Sequence, residues 1–323
     1  MAAFLETLEQ MLVLFLVLLV GCIARRCHIT DDSFDARLSS VVINISLPAF
    51  IISSVLGNDA LPERSVIAMT FLYALVAYLI MIALAELVCR LLPGALSRAA
   101  RGTFRFGAVF GNIGFMGFPV MQALFGSEAV LYASIFNVPF NVLIFTYGLH
   151  AVRSSGEEPQ QRQDGDVPEN RALALAKSLC TPSMIASLIA VVLALLRVTD
   201  ADGVIGTAFS TLGQLTTPAS MLVLGSTLAK SSARDMLGHA MPYVTSLVRL
   251  VIAPLAVFAV LSQLIVDDVL LGVIVLSAGM PVASMGTMFS LLYGGDSSSM
   301  SRTTFVSTAL SLITIPLLSL LVM

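Results

Sequence analysis

Long apolar stretches alternate with short polar ones along the chain, and this pattern predicts a bundle of membrane-spanning helices. A helix needs about 20 apolar residues to cross a hydrocarbon core of about 30 Å. Ten stretches of suitable length are present, numbered here spans 1 to 10: residues 4–24, 38–56, 65–92, 104–125, 127–149, 178–197, 204–228, 237–265, 269–292 and 303–323. The sequence therefore predicts an all-α integral membrane protein with ten transmembrane helices.

One long hydrophilic segment, residues 150–177, interrupts this alternation and has the composition of a linker. It separates residues 1–149 from residues 178–323, with five spans in each half. Because five is odd, a duplicated half would insert upside down, as in the inverted repeats of many secondary transporters. Prolines recur at similar spacing in the two halves, although proline is also common in transmembrane helices; the pairs are Pro48 and Pro218, Pro119 and Pro281, and Pro139 and Pro316.

The distribution of basic residues predicts the orientation of the chain. The loops after spans 1, 3, 5, 7 and 9 hold 14 of the 17 Lys and Arg residues, whereas the opposite loops hold only Arg64 and Arg197. Positive charge concentrates on the cytoplasmic side, so both termini are expected outside the cytoplasm, in a multi-pass protein of the plasma or inner membrane. Glu6 and Glu9 replace the basic n-region of a secretory signal, so span 1 is expected to be retained.

Composition excludes several function classes. Hydrophobic residues make up 57% of the chain and charged residues 11%, against about 25% charged in soluble proteins. The net charge of −3, without a basic stripe interleaved with aromatics, argues against nucleic-acid binding. The histidines and cysteines lack metal-ligand spacing, and no hydrolase or phosphate-loop motif is present. The sequence therefore predicts no enzyme, no catalytic residue, no metal and no cofactor, apart from H⁺ or Na⁺ as a possible coupling ion.

Two spans contain residues that interrupt helices. Span 4 has Gly111, Gly114 and Gly117 before Pro119, and span 9 has Pro281 between two glycines. A helix weakened in this way is expected to open near mid-membrane, which is tolerated only where the freed backbone groups face protein or a watery cavity. Interrupted helices at corresponding positions of two halves point to a transporter's binding site. Close packing through small residues is the alternative explanation for either span alone.

Polar side chains at membrane depth surround these interruptions and are candidate ligands for a substrate or an ion. They could equally serve as hydrogen-bonding contacts between helices. The candidates are Asn112 in span 4, Asn137 and Asn141 in span 5, and Ser284 and Thr287 in span 9.

Arg249 in span 8 is the one charge that the pattern places fully inside the membrane. A central arginine costs about 2.5 to 3.5 kcal/mol on insertion scales, so it should face a cavity or a partner. No acidic residue lies at that depth in the sequence. Arg249 is therefore expected to bind either carbonyls freed by the helix interruptions or an anionic substrate.

Several motifs resemble the auxin efflux carrier family in its bacterial, short-loop form, whose members include malate and malonate permeases. The motifs are Gly21-Cys22-Ile23-Ala24-Arg25-Arg26 at the end of span 1, Leu47-Pro48-Ala49 in span 2, Asn112-x-Gly-Phe-x-Gly-x-Pro119 in span 4, and Met280-Pro281-Val282-Ala283 with Leu291-Leu292-Tyr293-Gly294 in span 9. The resemblance covers nearly the whole chain, and the span 4 string is the most specific part.

The resemblance implies two inverted repeats in which helices 4 and 9 are broken at their prolines and cross there. It also implies a scaffold of spans 1, 2, 6 and 7, and a moving unit of spans 3–5 and 8–10 with an elevator-type cycle. By the same resemblance, Asn112, Pro119 and Pro281 would line the substrate site. The short linker departs from plant members, whose long loop carries regulatory phosphosites, so the resemblance does not by itself extend to phosphorylation control or to auxin as the substrate. The candidate substrates are carboxylates such as malate, malonate or an auxin-like acid.

These observations together predict a secondary transporter of a small organic anion, embedded in lipid and expected to form a homodimer. The predicted substrate-binding residues are Asn112, Gly114, Pro119, Asn137, Asn141, Arg249, Pro281, Ser284 and Thr287. One alternative is a sodium-coupled carrier of larger anions on the bile-acid transporter architecture, with Na⁺ near Ser284 and Thr287. A membrane sensor or receptor is the alternative from a different class.

Overall fold

The computed structural model describes residues 2–58, 61–91, 97–153, 181–201, 203–230, 238–293 and 295–322. Within these ranges the chain folds into helices and forms no β-sheet. The predicted linker at residues 150–177 lies outside the described residues after Arg153, so its character stays a prediction.

Each of the ten predicted spans contains helix. The helices of the first half are α1 (Ala2–Arg26), α2 (Asp32–Val41), α3 (Leu47–Leu56), α4 (Arg64–Leu91), α5 (Arg98–Val109), α6 (Phe118–Phe125), α7 (Ser127–Leu143) and α8 (Leu149–Arg153). Those of the second half are α9 (Pro182–Leu196), α10 (Val204–Gln214), α11 (Thr216–Lys230), α12 (Ala240–Leu247), α13 (Ala253–Leu261), α14 (Asp268–Ala278), α15 (Met285–Tyr293) and α16 (Ser297–Val322). Short π-helical turns at Val42–Ser46, Ile113–Gly117, Ile144–Gly148 and Val248–Ile252 precede α3, α6, α8 and α13.

Five helical segments of the described chain are long and apolar enough to cross a membrane: Asp32–Leu56, Arg64–Leu91, Ser127–Arg153, Ala240–Leu261 and Ser297–Val322. Apolar side chains such as Leu16, Leu79 and Ile313 are exposed on the outside of the bundle, where a soluble protein would place polar groups. The prediction of an all-α, multi-pass membrane protein is therefore confirmed.

One group of helices is held together by close backbone contact. Gly21 of α1 lies against the backbone of Leu222, and Gly225 of α11 lies against the backbone of Leu18. A side chain at either glycine would collide with main-chain atoms, so the small residues allow α1 and α11 to approach closely. Helices α9 and α10 both pack on α3. Spans 1, 2, 6 and 7 therefore pack as one group.

The remaining spans form a second group. Helix α4 packs against α5 and α7, and α16 packs against α12, α14 and α15. At one end of this group, Arg105 forms an ion pair with Glu86 at 2.8 Å, and the hydroxyl of Tyr147 donates to the same carboxylate at 2.8 Å. These bonds link α4, α5 and the π-helical turn before α8, and the two interrupted spans lie within this group.

Candidate functional site: the crossing of two open helices

Spans 4 and 9 both open, and their open segments pair with each other. Helix α5 ends at Val109, and the next helical turn begins at Ile113. Helix α14 ends at Ala278, and α15 begins at Met285. The backbone N–H of Asn112 donates to the carbonyl of Pro281 at 2.6 Å. In return, the N–H of Ala283 donates to the carbonyl of Phe110 at 3.0 Å.

The two segments run antiparallel, with Gly111 opposite Val282. This pairing satisfies backbone groups that neither helix can satisfy internally, as membrane depth requires. We call residues 110–112 and 279–284, together with this pairing, the crossing.

The opening of span 4 coincides with Gly111 rather than with Pro119. Pro119 follows directly on the π-helical turn at Ile113–Gly117, and the helical segment continues through it to Phe125 without a break. A Cβ at Gly111 would overlap a terminal nitrogen of Arg249 and lie 3.1 Å from the Cβ of Met280. Glycine is therefore needed at the crossing because another chain and a guanidinium approach it closely. Pro281, in contrast, lies within the open segment of span 9.

Arg249 is 1% exposed and donates hydrogen bonds to both open helices. Its Nη1 donates to the carbonyl of Val109 at 2.8 Å, beside a longer bond of 3.5 Å to that of Ala108. Its Nε and Nη2 donate to the carbonyls of Met280 at 2.8 Å and Ser277 at 3.0 Å. The last carbonyls of a helix lack intrahelical partners and attract cations. One side chain thus serves the C-terminal ends of both α5 and α14.

These contacts favour the carbonyl-binding role of Arg249 over a direct role in binding an anion. Its guanidinium makes no ion pair with a carboxylate of the described residues. A substrate carboxylate would have to displace backbone carbonyls that have few other donors. Arg249 is therefore placed to support the crossing, and a direct contact with substrate stays a prediction.

Asn112 is the buried polar residue at the crossing with spare hydrogen-bonding capacity. Its Oδ1 accepts from the N–H of Phe115 at 3.2 Å and so caps the π-helical turn. Its Nδ2 is buried and has no hydrogen-bond partner, and the residue is only 6% exposed. A buried donor without a partner costs about 1 to 3 kcal/mol. An acceptor supplied by a ligand would remove this cost.

The other predicted residues of span 5 are buried but differ in their bonding. The Nδ2 of Asn141 donates to the carbonyl of Asn137 at 2.7 Å, and its Oδ1 accepts from the hydroxyl of Thr181 at 3.4 Å. Asn141 thus acts as a contact between helices in this structure. The side chain of Asn137 forms no hydrogen bond with the described residues, so its amide stays available.

The remaining candidates lie at the edges of the crossing. Gly114 is half-buried, and a Cβ at this position would lie 3.9 Å from a methyl group of Leu47 in α3. Ser284 is exposed and Thr287 is half-buried at the start of α15. Asn112 and Pro281 are therefore brought into direct contact, whereas the hydroxyls of Ser284 and Thr287 are more exposed than Asn112.

Sequence reasoning missed a set of buried hydroxyls beside the crossing. Ser46, Thr216 and Ser220 are fully buried, and their side-chain oxygens have no partner within the described chain. Helix α11, which holds Thr216 and Ser220, packs against the π-helical turns at Val42–Ser46 and Ile113–Gly117. Each hydroxyl lies two residues from Pro48 or Pro218, and this proximity was the available signal in the sequence.

Comparison with known proteins identifies one family over almost the whole chain. A family model described as "Membrane transport protein" matches residues 6–319. The chain is 25% identical to an "Uncharacterized transporter" of Methanothermobacter thermautotrophicus, over 98% of both proteins. It is 22% identical to "Uncharacterized transporter MJ1031" of Methanocaldococcus jannaschii, over 96% of this chain and 97% of that protein.

Proposed function

The chain belongs to the membrane transport protein family, which confirms the resemblance found in the sequence, and on this premise we propose that it is a secondary transporter of a small organic anion. We propose the crossing as the substrate site. The observation that supports this most directly is the buried Nδ2 of Asn112, a hydrogen-bond donor without a partner. A carboxylate oxygen is the kind of acceptor that it lacks.

The electrostatics of the crossing favour an anion. The π-helical turn at Ile113–Gly117 and helix α15 both begin there, and the N-terminal end of a helix attracts negative charge. The guanidinium of Arg249 adds a full positive charge beneath the open segments. A small carboxylate bound by Asn112 and these helix ends would therefore be stabilised by charge as well as by hydrogen bonds.

Ten transmembrane helices in two inverted repeats form the second part of the proposal. Packing of α1 on α11 joins span 1 to span 7, and packing of α9 on α3 joins span 6 to span 2. If spans 1–5 are exchanged with spans 6–10, the pair of spans 1 and 7 becomes the pair of spans 6 and 2. The same exchange relates the contact of α4 with α7 to that of α12 with α16. Such matched contacts support a duplicated architecture. The distribution of basic residues supports placing both termini outside the cytoplasm.

The two packing groups support an elevator-type cycle. Contacts between the groups include those of α7 with α3 and α9, of α1 with α6, and of α11 with the π-helical turn at Ile113–Gly117. The hydroxyls of Ser46, Thr216 and Ser220 lie on the scaffold side, and Asn112 lies on the moving side. In this proposal, sliding of the second group would carry an anion bound at Asn112 past the scaffold, with or without a coupled H⁺ or Na⁺.

Flux measurement in proteoliposomes tests this function. We expect saturable uptake of labelled malate, malonate or an auxin-like acid above the level of empty liposomes. Separate Na⁺ and H⁺ gradients, and a membrane potential alone, would distinguish the coupling modes. A folded protein that moved none of these anions under any gradient would contradict the proposal.

A further inference from the structure

A cavity of about 210 Å³ lies away from the crossing, where the N-terminal ends of α5, α12 and α16 meet. Under the proposed topology this end of the bundle faces the cytoplasm. The lining includes an arginine and several hydroxyls, namely Thr103, Thr245, Ser299, Arg302 and Thr303. The volume is large enough for a compact group such as a carboxylate or a phosphate, with accompanying water.

The charge of the cavity is unbalanced. Arg302 is half-buried, and its guanidinium forms no ion pair or hydrogen bond with the described residues. No Asp or Glu is among the described residues that line the cavity. The nearest acid along α16, Asp296, accepts a hydrogen bond from the N–H of Ser299 at 2.9 Å and begins the helix. Among the described residues, the cavity therefore offers a positive charge without a counter-charge.

Thr103 provides a second, independent indication of a ligand. It is 5% exposed and lines the cavity, yet its hydroxyl has no hydrogen-bond partner within the described chain. Two other hydroxyls of the cavity lining do have partners: those of Thr245 and Thr303 donate to the carbonyls of the residues four positions earlier, at 3.0 and 2.8 Å. Helix α12 begins beside the cavity at His239, whose side chain supplies no cap. An oxyanion could accept from Thr103 and lie near this helix end.

We propose that this cavity binds a compact oxyanion, either a carboxylate or a phosphate group, through Arg302 and Thr103. The site is separate from the crossing. A Cβ at Gly107, one turn after Thr103, would lie 2.8 Å from a methyl of Thr245 and 3.4 Å from a methyl of Val282. The two sites therefore approach each other through methyl groups beside Gly107, and no residue of the crossing lines the cavity. The ligand of this cavity is bound independently of the transported substrate.

Thermal unfolding of the full-length protein in neutral detergent tests this site. Cys89 is buried and the chain has no Trp, so unfolding is followed with a thiol-reactive dye. Inorganic phosphate, added at constant ionic strength, should raise the unfolding temperature in a saturable manner. Arg302→Gln should raise the phosphate concentration needed for half of the maximal shift about tenfold or more, as expected for loss of a charged hydrogen bond. Thr103→Val should raise this half-saturating concentration about threefold.

Two controls separate this site from general charge effects and from the crossing. Arg37→Gln removes an exposed charge elsewhere and should leave the response unchanged. Asn112→Ala should also leave it unchanged. Loss of the response in either control, or an unaltered response in Arg302→Gln, would overturn the proposal.

A lipid arm distinguishes a free anion from a headgroup. In nanodiscs of phosphatidylglycerol, a bound headgroup would raise the unfolding temperature of the wild type relative to phosphatidylcholine, and Arg302→Gln would remove the difference. Added phosphate would then act only in phosphatidylcholine. A free anion would instead act equally in both lipids. The absence of any response, to phosphate or to phosphatidylglycerol, would overturn the proposal.

Discussion

The open segments of spans 4 and 9 pair through a local two-fold arrangement, yet they differ in chemistry. In span 4 three residues separate α5 from the next helical turn, whereas six residues separate α14 from α15. The antiparallel pairing relates Gly111 to Val282 and therefore Asn112 to Ala283. An amide thus occupies one of the two related positions and a methyl group the other. The crossing is symmetric in backbone and asymmetric in side chains.

Because of this difference, structural support of the open segments and binding of the substrate are assigned to different groups. Backbone groups of both segments are satisfied by the mutual pairing, by Arg249, and in span 9 by the hydroxyl of Ser307, which accepts from the N–H of Val282 at 3.0 Å. None of these contacts uses the Nδ2 of Asn112. Within residues 110–112 and 279–284, the buried side-chain atom without a partner is therefore the Nδ2 of Asn112, on the span 4 side. The variants below should affect the two sides unequally.

Replacing Arg249 should have the largest effect, because it supports both open segments. Arg249→Gln removes charged hydrogen bonds to buried carbonyls, and each bond is worth about 1.5 to 3 kcal/mol. We expect destabilisation of about 3 kcal/mol or more, measured as a lower thermal unfolding temperature in detergent. Arg249→Lys keeps the charge but not the planar fork, so it should lie between wild type and Arg249→Gln. Unchanged stability with lost substrate affinity would instead assign Arg249 to the substrate.

Gly111→Ala tests the same support without removing the guanidinium. Its methyl group would overlap a terminal nitrogen of Arg249, and that nitrogen cannot move without losing its carbonyl. Gly117→Ala is the matched control, because a Cβ there meets only Ile113, at 3.2 Å, and Met280, at 3.6 Å, through side-chain atoms. We expect the first variant to be clearly less stable than the second. Equal stability of the two would show that the crossing can relax around an added methyl group.

Asn112 should have the next largest effect, on binding more than on stability. Asn112→Asp keeps an oxygen to cap the N–H of Phe115 but removes the amide donor. Loss of a hydrogen bond to a charged ligand costs about 1.5 to 3 kcal/mol, and the new carboxylate also repels an anion, so substrate affinity should fall about tenfold or more. Asn44→Ala, at an exposed amide, should change neither property. Wild-type affinity in Asn112→Asp would place the anion elsewhere.

The helical spans and the family resemblance could be predicted from the sequence because each depends on a pattern that extends over many residues. Ten apolar stretches each require many residues, and all ten contain helix. The location of the span 4 opening was not accessible, because Gly111, Gly114, Gly117 and Pro119 all weaken the helix and only tertiary contact selects among them. Gly111 opens because Arg249 and span 9 approach there.

The role of Arg249 and the unpaired hydroxyls required three-dimensional information for a related reason. The sequence limits a buried arginine to two kinds of partner, but the carbonyls it binds belong to residues 28 to 141 positions away. Ser46, Thr216 and Ser220 are ordinary residues of apolar spans until the fold leaves them without partners. Candidate chemistry of this kind arises from packing, and pattern alone does not encode it.

The two prolines should show the smallest effects and the clearest inequality. Pro281 lies in the open segment, where Pro281→Ala restores an N–H and loosens a segment that must stay extended. Pro119 lies inside the continuous helical segment Ile113–Phe125, where alanine is accommodated without strain. Changes in backbone freedom of this kind are worth about 0.4 to 1 kcal/mol. The initial transport rate should therefore fall about two- to fivefold in Pro281→Ala and remain near wild type in Pro119→Ala. A larger loss in Pro119→Ala would show that α6, rather than the crossing itself, limits transport. Full activity of both variants would show that Arg249 and the antiparallel pairing are sufficient to support the open segments.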